Sequence, residues 1–351
     1  MQFQKRILLA LMVTGLMASA ALAQDASSLG FRRDAPRPRR FTAEEIQAAG
    51  TGLPTWTGSF THAGTTYKYV MVGTDPAKGS INTVVPVYIV PLKLTFADSG
   101  TIFDATAPMI GLTQSVVQAV QASPIFQDAP FKAGKVNVGN TQYIDAFQRA
   151  NFWASVGTVS PNYHVILGQP VVLPVQVYKV PAASGQTIPG PSPNVKRGIL
   201  DGTYIDTKIT APVFKKFPQI TPGAFTIFLT YNVFPAGAYG FHDVFGSSPL
   251  TGKTYTYTSY LEPYKQLIDA DISTLAHEVG EWMDDAYVNN NTPCGILEVG
   301  DPLNTTIFPV RLGGQTWHPQ DLAMLGYFSF DGAQSVNKWL TFRNTIKKSC
   351  G

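Results

Sequence analysis

The side chains best placed to do chemistry stand in the run His277-Glu278-Val279-Gly280-Glu281. If this run is helical, His277 and Glu281 lie one turn apart on the same side, so that an imidazole nitrogen and a carboxylate oxygen can converge on one cation. Glu278 then stands beside that cation as a general base. The layout is that of the HExxH helix of zinc metalloproteases, with a glutamate in place of the second histidine. We therefore predict a metal site with His277 and Glu281 as ligands.

The glutamate at position 281 remains a competent ligand for Zn²⁺. Carboxylate oxygens bind this ion at about 2.0–2.2 Å, much as imidazole nitrogens do. Each anionic ligand nevertheless lowers the effective charge of the metal, so the bound ion should acidify water less than it does in a histidine-rich site.

The charge around this run independently indicates a cation. No Lys or Arg lies between Lys265 and Arg311, although the chain as a whole has a net charge of +3. Two carboxylates about 4 Å apart repel each other by roughly 1–4 kcal/mol, depending on how much water surrounds them. A divalent ion would relieve the repulsion among the eight acidic residues of this stretch, which are Asp269, Asp271, Glu278, Glu281, Asp284, Asp285, Glu298 and Asp301.

A third ligand must come from outside the helix. The nearest acidic side chains lie in the segment 297–302, which the polar turn at 289–293 lets double back over the helix. We expect Glu298 to be the third ligand. Asp301 is expected to be either a further ligand or the acceptor that orients His277.

His242 and His318 are the other candidates, as ligands or as the electrophile that stabilises an oxyanion. In the hydrolase hypothesis, a bound Zn²⁺ acidifies a water molecule, Glu278 takes its proton, and one of these histidines steadies the charge on a peptide or other acyl substrate. The alternative is a non-catalytic exported or cell-surface binding protein with a structural ion. Ca²⁺ would suit that role because it prefers oxygen ligands. The identity of the metal discriminates between the two hypotheses.

Three short motifs resemble those of the plant Exordium, or phosphate-induced, secreted proteins, namely G-Y-H, H-E-L-A-E and E-I-A-D. The corresponding residues here are Gly240-Phe241-His242, the HExxE run and Leu297-Glu298-Val299-Gly300-Asp301. A closer resemblance is to a group of bacterial exported proteins that share Glu281-Trp282-Met283, the 298–302 motif and His318-Pro319-Gln320-Asp321. The resemblance to the plant family covers about Tyr239 to Asp301. It implies that His242, the helix, Glu298 and Asp301 form one site.

The first 23 residues have the features of a secretory signal peptide. Lys5 and Arg6 precede an apolar run over residues 7–17, and the small-residue triplet Ala21-Leu22-Ala23 follows. No later stretch reaches the roughly 18 apolar residues of a transmembrane helix. We therefore predict an exported protein without a transmembrane segment, either secreted or periplasmic.

Residues 24–55 are predicted to form a basic, proline-rich arm that ends in a short helix. Prolines alternate with arginines between Arg32 and Arg40, a composition that prevents burial. Removal of Lys5 and Arg6 with the signal peptide leaves a net charge of +1, and the arm has almost no aromatic residues. We therefore expect no nucleic-acid partner.

The two cysteines, Cys294 and Cys350, are too few for a disulfide scaffold but suit one bridge in an oxidising compartment. Such a bridge would hold the C-terminus beside the predicted site. Two buried thiols are the alternative. The chain has no G-x-S-x-G elbow and no C-x-x-C motif, so serine-hydrolase and thioredoxin-like chemistry are not indicated.

The elements that must position these residues are β-rich segments interrupted by a few helices. Helical spacing of apolar residues and a β-branched or aromatic composition predict helices over 41–48, 112–122, 142–153 and 269–287, and strands over 84–96, 171–180, 225–233 and 255–260. Prolines at 86, 91, 170 and 174 indicate edge or bulged strands. The Pro/Gly-rich stretch 181–193 is predicted to be a surface loop. We therefore expect a single α+β domain over residues 56–351, β-rich, with a long metal-binding helix and a zincin-like site.

Overall fold

The computed structural model describes residues 42, 45–46, 52–262, 270–304 and 306–350. The predicted signal peptide and most of the basic arm lie outside these residues. The structure is 22% helical and 36% strand, which confirms a mixed helix-and-strand composition consistent with the α+β class.

The strands are β1 (Thr55–His62), β2 (Thr65–Val72), β3 (Asn82–Val85), β4 (Val87–Phe96), β5 (Ile102–Asp104), β6 (Ala129–Ala133), β7 (Val136–Thr141), β8 (His164–Leu167), β9 (Val171–Val172), β10 (Gln176–Val180), β11 (Gly185–Pro189), β12 (Lys196–Leu200), β13 (Phe225–Tyr231), β14 (Val233–Pro235), β15 (Phe241–Phe245), β16 (Lys253–Tyr260), β17 (Asn291–Thr292), β18 (Gly295–Ile296), β19 (Val310–Leu312) and β20 (Gln315–Trp317).

The helices are α1 (Val116–Ala122), α2 (Tyr143–Asn151), α3 (Trp153–Val156), α4 (Gly202–Tyr204), α5 (Ala211–Lys216), α6 (Ser273–Asp285) and α7 (Leu325–Ser329). A π-helical turn, Ile205–Thr210, joins α4 to α5. Short 3-10 turns span Pro76–Lys78, Asp301–Leu303 and Val336–Lys338. Of the helix predicted at 41–48, Glu45 and Ile46 are described and are helical.

The central sheet has the strand order β10-β4-β13-β16-β15, with β5 and β9 also paired to β4. The pairs from β10 to β16 are parallel, and β15 closes the sheet antiparallel to β16. Parallel strands need long crossover connections and are usually covered on both faces, so their sequences are nearly continuously apolar. In β13, for example, every residue except Tyr231 is buried.

The predicted strands are present, but prolines divide two of them. Pro86 separates β3 from β4, and Pro174 lies in the gap between β9 and β10. Pro91 lies inside β4, where pairing with β13 ends and pairing with β10 begins at Leu92. The residue without a backbone N–H therefore falls at a junction between partners.

The predicted loop over 181–193 is wrong in its middle. Residues Gly185–Pro189 form β11, which pairs antiparallel with β12 in a sheet that β14 completes. A Pro/Gly-rich composition describes local conformational freedom. It does not report the backbone hydrogen bonds that a distant strand supplies.

Two apolar clusters lie on opposite faces of the central sheet. Ile89 and Ile227 join the larger cluster, which includes α6, whereas Val90 and Phe228 join the smaller one with α5 and the π-helical turn. Successive residues of a strand point to opposite faces, and this alternation accounts for the division. Helices therefore cover the sheet on both sides.

The helix that carries the HExxE run lies in the larger cluster. The indole of Trp282 in α6 stacks on the ring of Phe225 in β13, with centroids 3.9 Å apart. All residues of α6 except His277 are buried, including its acidic ones. Ile46 and Leu53, on the N-terminal side of the boundary predicted at residue 56, are buried in the same cluster. Within the described residues, no helix has the length and apolar character that a membrane crossing requires.

Candidate metal centre

The helix α6 presents His277, Glu278 and Glu281 to a pocket of about 690 Å³. Nε2 of His277 lies 3.1 Å from Oε1 of Glu281 and 3.9 Å from Oε1 of Glu278. The side chains one turn apart therefore meet, as the spacing predicts. The side chain of His277 is 12% exposed and those of the two glutamates are 4–5% exposed, so the ring is the part of this trio most accessible from the pocket.

A second imidazole reaches the same carboxylates from the central sheet. His242 lies on β15, and its Nδ1 is 3.6 Å from Oε2 of Glu281 and 3.9 Å from Oε2 of Glu278. Oε2 of Glu298 is also 3.9 Å from this nitrogen. On the other side of the ring, Nε2 lies 3.1 Å from the backbone carbonyl of Asp285. The structure thus brings His242 and Glu298 into the cluster.

The loop after α6 folds back over the helix and contributes Glu298 and Asp301 to the pocket lining. Asp301 begins a 3-10 turn and places its Oδ1 3.8 Å from Nε2 of His277. The backbone N–H of Gly300 donates to Oε1 of Glu281 over 3.1 Å, which holds the loop against the helix. Glu298 faces His242, whereas Asp301 faces His277. The acids of this loop therefore divide between the two histidines.

The group that orients His277 is Gln320, which the sequence did not single out. Nδ1 of His277 lies 3.1 Å from Oε1 of Gln320, and Nε2 of Gln320 donates to the carbonyl of Gly300 over 2.6 Å. Asp301, expected to be either a further ligand or the acceptor that orients His277, faces Nε2, which is the position of a ligand and not of the orienting acceptor. Gln320 does not titrate and is distant in sequence, so only its position in the tail motif could have pointed to it.

His318 does not join the cluster. Its Nδ1 lies 2.7 Å from Oδ2 of Asp271, and its backbone N–H donates to Oδ1 of the same residue over 2.9 Å. These bonds tie the 317–321 segment to the start of α6, because Asp271 stands just before that helix. His318 is not among the residues that line the pocket. Its expected function as a ligand or oxyanion donor has no support from its position.

Two glycines allow the close approach of the backbone to the site. A Cβ at Gly300 would lie 2.5 Å from Nδ1 of His277, and a Cβ at Gly240 would lie 2.7 Å from Oε1 of Glu278. Neither distance is compatible with a side chain unless the neighbouring group moves. Both glycines stand in the motifs quoted above, but their spatial reason was not apparent from the sequence.

Comparisons with protein-family models, curated proteins and solved structures find no match to this chain. The resemblance to the Exordium proteins stays a prediction. The account of the site therefore depends on its own geometry and charge.

Burial and mutual charge shift the pKa values of the cluster. Burial lowers the pKa of His242, but Glu298 and Glu281 outweigh this effect and raise it to about 10. For His277, burial is likewise outweighed by Glu281, so that its pKa is also raised. Burial raises the pKa of Glu278 to about 8 even though His277 opposes the change. For Glu281, the two histidines outweigh burial and lower the pKa.

The pKa values of both carboxyl groups in the loop after α6 are raised. The pKa of Glu298 is raised by burial and by Glu281, and the pKa of Asp301 is raised by the same two causes. The raised pKa values of these acids mean that their ionised forms are unfavourable here unless positive charge, from protonated histidines or from a bound cation, lies among them. The donor set of imidazole nitrogens and carboxylate oxygens suits a divalent ion such as Zn²⁺.

The predicted disulfide is confirmed and borders the pocket. Cys294 and Cys350 are bridged, with their Cα atoms 5.9 Å apart, and both residues line the cavity. Tyr327 and Phe328 of α7 complete this wall. The C-terminal segment is therefore held beside the candidate site, as expected from the sequence.

Proposed function

We propose that this chain is an exported, zinc-dependent hydrolase of peptide or other acyl bonds. The observation that carries the proposal is the convergence of His277 Nε2, Glu281 Oε1 and Glu278 Oε1 within 3.1–3.9 Å on one helix facing a pocket. Two of these groups are the ligand types that Zn²⁺ takes, and the third has the position of a general base.

The residues fit a divalent ion on the chemistry of their donor atoms. Oε2 of Glu278 is buried and has no hydrogen-bond partner among the described residues. When an Nδ1–H of His277 is donated to Gln320, the lone pair of Nε2 is left to face Glu281 and Asp301. A bound Zn²⁺ would polarise a substrate carbonyl and acidify the attacking water. Glu278 would accept the proton that this water loses.

The composition of the pocket favours an acyl substrate over a phosphorylated one. Its described lining contains no Lys or Arg, and Phe241, Ile296, Tyr327 and Phe328 give it apolar walls. Phosphoryl groups are usually held by cationic side chains, whereas peptides and esters need apolar contacts and a few polar groups.

The alternative, a non-catalytic binding protein with structural Ca²⁺, is less well supported by the ligands. Ca²⁺ takes six to eight oxygen ligands, whereas two imidazole nitrogens face the carboxylates of this site. The partly open side at His277 is typical of catalytic zinc sites, which keep one coordination position free.

The test is the variant Glu278→Gln in the zinc-loaded protein, assayed on fluorescent casein and on p-nitrophenyl acetate. The amide cannot accept the proton, so hydrolysis should fall by about 100-fold or more while bound zinc is unchanged. His62→Ala, in β1 and outside the pocket lining, serves as the control and should retain activity. Full activity of Glu278→Gln, or no hydrolysis of either probe by the zinc-loaded wild type, would contradict the proposal.

A further inference from the structure

We infer that this pocket holds two divalent cations, with the carboxylate of Glu281 bridging them. The inference deepens the proposed function, on which it rests, by assigning the metal content of the same site. Its basis is that the two oxygens of Glu281 face two different imidazoles, Oε1 towards His277 at 3.1 Å and Oε2 towards His242 at 3.6 Å.

The first centre is the one that the helix motif predicts. His277 Nε2, Glu281 Oε1 and Asp301 Oδ1 can all lie within 4.8 Å of one another. The Asp301 side chain is 62% exposed, so this centre opens to the pocket.

The second centre is deeper. His242 contributes Nδ1, Glu281 contributes Oε2, and Glu298 Oε2 lies 3.9 Å from the histidine nitrogen. His242, Glu281 and Glu278 also offer ligand atoms that all lie within 4.8 Å of one another. Carboxylates gathered this closely around one imidazole nitrogen repel one another unless a proton or a cation lies among them.

The orientation of His242 indicates a ligand. Its Nε2 lies 3.1 Å from the backbone carbonyl oxygen of Asp285. A carbonyl oxygen can accept a hydrogen bond but cannot donate one, so in the neutral ring the proton is on Nε2. The lone pair of Nδ1 then points at three carboxylate oxygens, an arrangement that a cation would make favourable. A backbone carbonyl that fixes the second ring nitrogen is a common partner of metal-ligating histidines.

Charge supports two ions over one. Glu278, Glu281, Glu298 and Asp301 supply four carboxylates around two imidazoles, and the described lining of the pocket contains no Lys or Arg. With all four carboxylates ionised and both imidazoles neutral, as ligands must be, one divalent ion would leave two negative charges in this cluster, whereas two ions balance all four. Oε2 of Glu278, in a residue 3% exposed, independently lacks a hydrogen-bond partner among the described residues and faces His242 at 3.9 Å.

In this arrangement Glu278 stands over both centres. Its Oε1 is 3.9 Å from His277 Nε2 and its Oε2 is 3.9 Å from His242 Nδ1. One proton acceptor therefore serves both centres, and its proposed function does not depend on which ion binds more tightly.

The test uses Mn²⁺ alone as the probe, because its electron spin reports on a neighbouring ion. The metal-free protein is dialysed against Mn²⁺, bound metal is measured by elemental analysis, and the electron paramagnetic resonance spectrum is recorded. We expect two ions per chain and an exchange-coupled spectrum in place of the six-line spectrum of isolated Mn²⁺. His242→Ala should bind one ion and give the six-line spectrum, and His62→Ala, outside the pocket lining, should behave as the wild type.

Circular dichroism verifies that the variants are folded. If His242→Ala does not fold, Glu298→Gln replaces it, because this substitution weakens the second centre alone. One ion in the wild type would overturn the inference and leave the single-ion hydrolase intact. Two bound ions with an uncoupled six-line spectrum would show that Glu281 does not bridge them. Binding of neither Mn²⁺ nor Zn²⁺ would overturn the proposed function as well.

Discussion

The ring of His277 is positioned by contacts on three of its sides. Glu281 faces Nε2, Gln320 faces Nδ1, and the backbone at Gly300 lies against the ring. A metal ligand held in this way loses little conformational entropy when an ion binds, because its rotamer is already fixed. At the scale of single residues, the site therefore depends on Gln320 and the backbone at Gly300, which are neither acidic nor basic, as well as on Glu281.

Replacing Gly300 by alanine should weaken metal binding without removing any ligand. The new Cβ would stand 2.5 Å from Nδ1 of His277 in the present arrangement, so the ring or the loop at residue 300 must move. We expect the zinc affinity to fall by about 10–100-fold, the range found when the partner of a ligating histidine is lost. Competition with a chromophoric chelator measures this affinity.

Gly64→Ala is the control for that experiment. Gly64 has a φ of 80° in the turn between β1 and β2, does not line the pocket, and its Cβ would meet nothing within 4 Å, so the substitution adds backbone strain without touching His277. It should lower thermal stability and leave zinc affinity unchanged. Equal zinc affinities for wild type and Gly300→Ala would show that the ring tolerates the Cβ.

The residues of the site that lie on α6 were predictable from the sequence. For the residues that come from other elements, the sequence predicted candidates but not their arrangement. His277, Glu278 and Glu281 follow from helical spacing, which is fixed by backbone geometry. The sequence proposed a single ion and could not divide the acids between two histidines, because that division depends on where β15 lies against α6. Gln320 was not predicted because its amide carries no charge, although it lies in the tail motif His318-Pro319-Gln320-Asp321.

At the scale of elements, α6 is buried on all sides, so its acidic side chains must be satisfied by protein groups and not by water. A helix between a sheet and other elements has no solvent-facing side for its acids. Asp285 accepts hydrogen bonds from the backbone N–H groups of Asn289 and Asn290, at 2.8 and 3.0 Å, and so fixes the turn after the helix. Asp284 accepts a hydrogen bond from Gln148 of α2, while its Oδ2 has no partner among the described residues.

The buried Asp284 should make the metal-free protein less stable as pH rises. Burial raises its pKa from 3.8 to about 8, so between these values the native state binds one proton more than the unfolded state. Stability should therefore fall by up to about 1.4 kcal/mol per pH unit across this window and level off above it.

Asp284→Asn removes the titrating group and retains its shape. We expect the stability advantage of the variant over wild type to grow with pH up to about pH 8, as measured by urea unfolding in the presence of a chelator. Comparing the two proteins cancels the other titrating carboxyls. A constant difference in the free energy of unfolding across this range would show that Asp284 is ionised in the folded protein.

The positions of several strands were predictable from their amino-acid composition. Which strands pair with one another in the sheets was not predictable. The predicted segments 225–233 and 255–260 contain β13 and β16, and the first also the start of β14, because β-branched and aromatic residues fill them on either side of Asn232. Their parallel pairing depends on crossovers of more than twenty residues, which leave no local pattern. β11 was missed for the same reason, since its hydrogen bonds come from β12 and its composition is that of a turn.

At the scale of the whole molecule, the disulfide ties the C-terminal segment to the rim of the pocket. The bridge joins residues 56 positions apart, and a crosslink of this length removes much of the freedom of the unfolded chain. Cys294→Ser/Cys350→Ser should therefore lower the free energy of unfolding by about 4 kcal/mol in the chain-entropy account. Urea unfolding of the oxidised wild type and the double variant measures the loss. Equal stabilities would show that the bridge does not stabilise the fold.

The most direct test of the central claim is the zinc content of the purified protein, measured by elemental analysis beside a His277→Ala/Glu281→Ala variant. The account predicts at least one tightly bound zinc per wild-type chain and none in the double variant, because Glu281 contributes to both centres. Circular dichroism establishes that the variant is folded. Calcium in place of zinc, no metal in the wild type, or equal zinc in both proteins would contradict the account.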